Sequence, residues 1–246
     1  MEDHVRNKMY QVSTLQALAL GYTREVIKVK EFMEYGNIGL GTFEDVNGEM
    51  IVVGGNCYQA DEKGHVKKAD PDMGIPFAVI TTCQGDRNLF FEDIPNINKL
   101  KKLLDQYIDN HFTLNSMHIA RIDGEFEIVK ARSESGLHTH HVELNELLKD
   151  RQKDFTFENI EGTIVAVYFP DYMDGINAAG WHLHFISKDK SFGGHIFDVS
   201  AKSLTGRIET ISCLEMLLPE SPAYDTYALK SANANDIKAV EQGDKK

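Results

Sequence analysis

In Trp181-His182-Leu183-His184-Phe185, followed after a polar turn by Gly193-Gly194-His195, apolar residues and histidines alternate. Side chains of an extended strand point to opposite faces in turn, so His182 and His184 share one face and Leu183 and Phe185 the other. Ser187-Lys188-Asp189-Lys190-Ser191 is rich in turn formers, and a reversal there pairs the strand holding His195 antiparallel with the first. If His184 and His195 stand opposite each other, three imidazoles lie on one face. Three neutral imidazoles with a coordination position left open make a catalytic divalent site, zinc most naturally, whereas structural zinc sites close with four protein ligands and favour cysteine. The plain alternative is a strand with half-exposed polar histidines, and the third histidine across the hairpin weighs against it.

Around this hairpin the chain reads as short strands with few helices. Ser13 or Thr14 caps a short helix through Leu20, and Thr23 caps a second that carries Val26, Val29 and Met33 before Gly36. Thr42 to Val46, Asn47-Gly48 and Glu49 to Val53 read as a tight β-hairpin; Gly54-Gly55 and Gly64 punctuate further strands, and Pro76 to Thr82 is another. Leu100, Leu103, Leu104, Tyr107 and Ile108 recur at helical spacing, which predicts an amphipathic helix from about Ile97 to Asn110 lying on a sheet. Strands are expected at Phe112 to Ile122 and Phe126 to Arg132, with Asp123-Gly124 turning between them, then a helix over Val142 to Leu148. Gly162 to Phe169 opens the second half, which leads through Pro170 to Gly175 into the histidine hairpin, then to Arg207 to Cys213 and a helical tail from Asn233 to Glu241.

The chain has 246 residues, 42% hydrophobic and 26% charged, which suits one large globular domain or two tightly joined halves. A net charge of −12 argues against nucleic acid or an anionic membrane as partner, so a small anionic substrate needs a local basic group. The start Met1-Glu2-Asp3 and the short apolar run from Leu15 to Leu20 lack the basic start and cleavage site of a signal peptide, and no stretch has transmembrane length. Cys57, Cys83 and Cys213 are scattered and form no Cys-Xaa-Xaa-Cys pair, which predicts reduced, mostly buried thiols in a cytoplasmic protein.

Gly180-Trp181-His182-Leu183-His184-Phe185-Ile186 with Gly193-Gly194-His195-Ile196-Phe197 resembles the zinc-binding signature of the alpha-acetolactate decarboxylases. The resemblance continues in the family's order through Asn37-Ile38-Gly39-Leu40-Gly41-Thr42, Asn47-Gly48-Glu49-Met50-Ile51, Phe126-Glu127-Ile128-Val129-Lys130-Ala131-Arg132 and Gly162-Thr163-Ile164-Val165. It covers nearly the whole chain. It implies an α/β fold of the α+β type, with mixed β-sheets in two associated lobes and flanking helices. The lobes would be 1–160 and 161–246, the second carrying the histidine hairpin and a tail that folds back over the site.

The activity the resemblance implies is loss of CO2 from 2-acetolactate (2-hydroxy-2-methyl-3-oxobutanoate) to give acetoin. Decarboxylation releases electrons into the neighbouring ketone as an enediolate, which Zn2+, or another divalent metal, held by His182, His184 and His195 would stabilise as a Lewis acid. By the same resemblance Glu49 and Glu241 are acidic metal ligands and candidate proton donors, Glu241 the first of them. Arg132 binds substrate oxygen or steadies the enediolate, and Thr42 lines the substrate pocket. Read without the family, Glu49 is a hairpin charge and Glu241 a solvated tail charge. A small-molecule substrate, a homodimer and a cytoplasmic location complete the picture, with no nucleic-acid or membrane partner.

Two other readings stay open: a hydrolase whose zinc activates water with Glu49 or Glu241 as base, and a non-catalytic, metal-stabilised small-ligand module. Arg132 with two distant glutamates speaks against a purely structural ion, which four local ligands would close. His138-Thr139-His140-His141 with Glu143 is denser in ligands than the hairpin, but it follows Ser133-Glu134-Ser135-Gly136 in an expected loop and reads as solvated or pocket-rim residues.

Overall fold

The structure, a computed structural model, describes residues 7–85, 87–139 and 141–229. Its strands in chain order are β1 (Lys8–Val12), β2 (Ile27–Lys28), β3 (Ile38–Thr42), β4 (Glu49–Val53), β5 (Asn56–Ala60), β6 (Val66–Lys68), β7 (Gly74–Ile75), β8 (Phe77–Thr81), β9 (Arg87–Ile94), β10 (Met117–Glu134), β11 (Gln152–Phe169), β12 (Gly180–Ser187), β13 (Gly193–Ile211) and β14 (Cys213–Leu217). The α-helices are α1 (Leu15–Ala19), α2 (Val29–Phe32), α3 (Ile97–His111) and α4 (Leu144–Arg151).

One sheet has the order β14-β1-β8-β3-β4-β5-β6, and its β1–β14 pair is parallel while the other pairs are antiparallel. The other has the order β10-β11-β12-β13-β9, and β10 also pairs with β13, so β10, β11, β12 and β13 close on themselves as a barrel. The mixed sheets with few helices are the α+β architecture expected. The two layers interleave along the chain, since β14 belongs to the first sheet and residues 160 and 161 both lie within β11.

Alternation decides what each face meets. Trp181, Leu183 and Phe185 of β12 point into the barrel, together with Ile164 and Ala166 of β11 and with Ile97, Leu100, Leu104 and Ile108 of α3. Asn96 caps α3 by accepting from the Lys99 amide at 2.9 Å, and the Trp181 indole donates to Asp105 at 2.8 Å. On the opposite face, Ile186 of β12 and Val165 and Val167 of β11 pack against Leu40, Ile51 and Val53 of the first sheet. A one-residue slip of β12 would turn Leu183 and Phe185 out of the barrel, at roughly 1.5–3 kcal/mol each, so their burial holds His182 and His184 on the face toward the first sheet.

Several local expectations are corrected. The second helix starts at Val29, after β2, so Thr23 does not cap it; the N-cap position is Lys28. The strand expected over Thr42 to Val46 ends at Thr42, because Asp45 and Val46 take φ of 62° and 56° in a short 3-10 turn before β4. Asp123-Gly124 makes no turn: β10 runs through it with register shifts nearby, and a Cβ on Gly124 would stand 2.5 Å from the side chain of Leu204, its partner on the neighbouring β13. Gly162 to Phe169 is the end of the longer β11, and Arg207 to Ile211 continues the strand that begins at Gly193. Burial pushes the Cys57 thiol up to about 12, which suits a structural thiol and not a nucleophile. The tail helix expected at Asn233 to Glu241 lies outside the described residues.

Candidate active site

His184 and His195 are opposed across β12 and β13, and His195 is in turn opposed to Arg132 across β13 and β10. The three side chains therefore form one row over three strands, with His182 beside it, two residues before His184 on the same face. Gly194, at φ +155°, lets the strands close here, since a Cβ would stand 2.9 Å from the Arg132 carbonyl oxygen. His182 Nε2 lies 3.0 Å from His184 Nε2 and 3.1 Å from His195 Nδ1. Among the described residues this is the one group of three or more His, Cys, Asp or Glu side chains placed to hold a metal, its donor atoms within 4.8 Å of one another.

The first sheet supplies the rest. Glu49, the first residue of β4, places Oε2 3.3 Å from His184 Nε2 and Oε1 4.0 Å from His195 Nδ1. The next residue, Met50, accepts a hydrogen bond from His184 Nδ1 at 2.8 Å. A carbonyl only accepts, so the His184 proton sits on Nδ1 and Nε2 turns its lone pair inward.

Burial drives all three imidazoles toward the neutral form. The His182 pKa falls to about 3, with the Lys101 and Arg132 charges adding to desolvation. Those of His184 and His195 fall well below the usual histidine range, desolvation first, with His182 next for His184 and Arg132 next for His195. An ion pair between His184 and Glu49 would require an imidazolium, which this burial opposes. Instead a lone pair faces a carboxylate at 3.3 Å, an arrangement that repels unless a cation stands between. Ligand nitrogens bound to a tetrahedral zinc at ~2.0–2.1 Å stand about 3.3 Å apart, close to the separations found here. The donor set fits a divalent ion.

Beside this cluster lies a pocket of about 50 Å³. Its polar side is Thr42, Glu49, Arg132, Glu134, Gln152, His182 and His195; its apolar side is Leu18, Val46, Phe77, Leu144 and Leu148. Arg132 is buried, with Nη2 3.5 Å from His195 Nε2. Thr42 Oγ1 donates to the Gly48 carbonyl at 2.9 Å, which leaves its lone pairs for the pocket. Thus Thr42, Glu49, Arg132 and the three histidines come together, while Glu241 lies outside the described residues.

The dense histidine segment goes elsewhere. His138 lies 3.1 Å from Asp45, and His141 stacks on Tyr227 at 4.2 Å; His140 is outside the described residues. Sequence reasoning missed Glu134 and Gln152, which line the pocket as cross-strand partners. Glu134 carried a usable signal, being two residues beyond Arg132 and so on its face of β10. The apolar side from α1 and α4 had none, because nothing local ties those helices to the hairpin.

Residues 9–231 match the family model described as alpha-acetolactate decarboxylase. The chain is 31% identical over 242 residues to an alpha-acetolactate decarboxylase of Methanosarcina mazei, covering 98% of this chain and 83% of that protein. It is 30% identical to one of Brevibacillus brevis, over 96% of this chain and 81% of the relative. The crystal structure of alpha-acetolactate decarboxylase from Bacillus subtilis strain 168 superposes with a TM-score of 0.89 at 29% identity, over 95% of this chain and 99% of that one.

Proposed function

The chain belongs to the alpha-acetolactate decarboxylase family, and we propose that it converts 2-acetolactate to acetoin and CO2 in the pocket beside His182, His184 and His195. The observation that carries this reading is the row His184, His195, Arg132, with Glu49 set against it from β4. A 2-hydroxy-3-oxo acid needs its ketone polarised and its negative charge met, and the row offers both kinds of group side by side. His182, His184, His195 and Glu49, together with Glu241 as the family resemblance implies, would hold a divalent ion, zinc by preference, which when bound would supply the Lewis acid that a developing enediolate requires.

The chain's own groups do the rest. Arg132 donates from its fork to the substrate carboxylate and to oxygen that gains charge as CO2 leaves. The electron pair of the broken bond passes into the bond between C2 and C3 and onto the C3 oxygen, and a proton delivered to C2 completes acetoin. Glu241 is the first candidate for that proton, because Glu49 is already set against His184 and His195. Thr42 can accept from the substrate hydroxyl. Leu18, Leu144 and Leu148 give the pocket an apolar side, which suits an acid carrying an alkyl group better than a sugar.

The family resemblance further supports a cytoplasmic homodimer, whose subunit count light scattering measures. Among the described residues, no helix is long and apolar enough to cross a membrane. Purified protein given 2-acetolactate should release acetoin well above the spontaneous rate, and His184→Ala should lose that excess. Acetoin no faster than in buffer, from folded protein carrying its metal, would overturn the reading.

A further inference from the structure

We propose that the apolar wall made by Leu18 of α1 with Leu144 and Leu148 of α4 receives the 2-alkyl group of the substrate, and that Leu148 sets the length accepted. The substrate skeleton is taken from the decarboxylase reading. The polar groups Thr42, Glu49, Arg132, His182 and His195 come from strands, whereas Leu18, Leu144 and Leu148 come from helices and share the apolar side with Val46 and with Phe77 of β8. An acid held through its carboxylate, hydroxyl and ketone oxygens on the strand side turns its 2-alkyl group toward the helices.

Leu144 and Leu148 are one turn apart on the same face of α4. Leu144 is fixed in a buried cluster with Leu15, Leu18 and Leu147, while Leu148 is only partly buried at the edge of that cluster. Leu148 is thus the wall residue whose size can change without opening the cluster. The ligand class is 2-hydroxy-3-oxo acids with a short 2-alkyl chain, since Leu18, Leu144 and Leu148 stand on that side of the pocket and a longer chain meets Leu148.

The test uses 2-methyl, 2-ethyl and 2-propyl substrates with wild type, Leu148→Ala and Leu148→Phe, reading kcat/KM. In parallel, calorimetry reads binding of two unreactive acids, 2-hydroxy-2-methylbutanoate and 2-ethyl-2-hydroxybutanoate, to the same proteins. Leu148→Ala should shift the propyl-to-methyl ratio of kcat/KM upward by about tenfold or more, and Leu148→Phe should weaken ethyl more than methyl in both assays. Ratios within about twofold of wild type in both variants, each melting as wild type does, would overturn the proposal. Shifted binding preference without turnover in any protein would instead sink the decarboxylase reading and leave the wall standing.

Discussion

Arg132 and His195 are direct cross-strand partners on β10 and β13, with Arg132 Nη2 3.5 Å from His195 Nε2. The positive charge of the site therefore stands beside one of its imidazoles and helps to hold it neutral, as a metal ligand must be. Because one strand pairing fixes both residues, the guanidinium proposed to meet the substrate's negative charge cannot drift from the imidazole proposed to hold the ion.

Arg132→Lys keeps the charge and removes the planar fork. Its kcat with acetolactate should fall by about 10²–10³-fold with metal content unchanged. Steady-state kinetics with elemental analysis on the same sample checks this, and wild-type turnover would remove Arg132 from the reaction.

The metal-free protein should lose stability as pH falls. His182, His184 and His195 are held neutral in the fold, His182 down to about 3, but take up protons near pH 6.5 when unfolded. The unfolded state then binds more protons, so stability is fully present above about pH 6.5 and declines below it, by up to about 1.4 kcal/mol per pH unit for each histidine. Melting temperature against pH should show this decline, and His182→Gln should make it shallower; an unchanged slope would contradict the assigned burial.

Replacing His138, His140 and His141 by serine should leave the bound metal in place. His138 faces Asp45 and His141 lies against Tyr227, away from the cluster on β12 and β13. Elemental analysis decides, and loss of the tightly held ion would show that the wrong histidines were chosen.

Glu241→Gln removes a carboxylate from a segment beyond the described residues and should leave the melting temperature unchanged. Loss of an acid–base group costs about 10²–10⁴ in rate. Full turnover would return the proton to Glu49 or to water.

What could be read from the letters follows the reach of each signal. Opposition of His184 and His195 was legible because both lie in one hairpin, where alternation and a turn suffice. Arg132 sits 63 residues before His195, so its place in the row depends on barrel closure that no local pattern records; only the family resemblance pointed to it. Asp123-Gly124 carried an honest turn signal, yet in the fold Asp123 accepts from Arg121 and Thr163 while Gly124 admits Leu204, so the strand continues. The end of β3 at Thr42 rests on positive φ at Asp45 and Val46, and a β-branched residue such as Val46 gives little warning of it.

On the proposed reading, a divalent ion among His182, His184, His195 and Glu49 serves the decarboxylation of acetolactate. The most direct test of that reading is acetoin production by protein stripped with a chelator and then titrated with zinc. Stripping should abolish acetoin formation, activity should return in proportion to zinc up to about one equivalent per chain, and His195→Ala should neither bind nor recover. Undiminished activity in the stripped protein, or full zinc occupancy in His195→Ala, would contradict it.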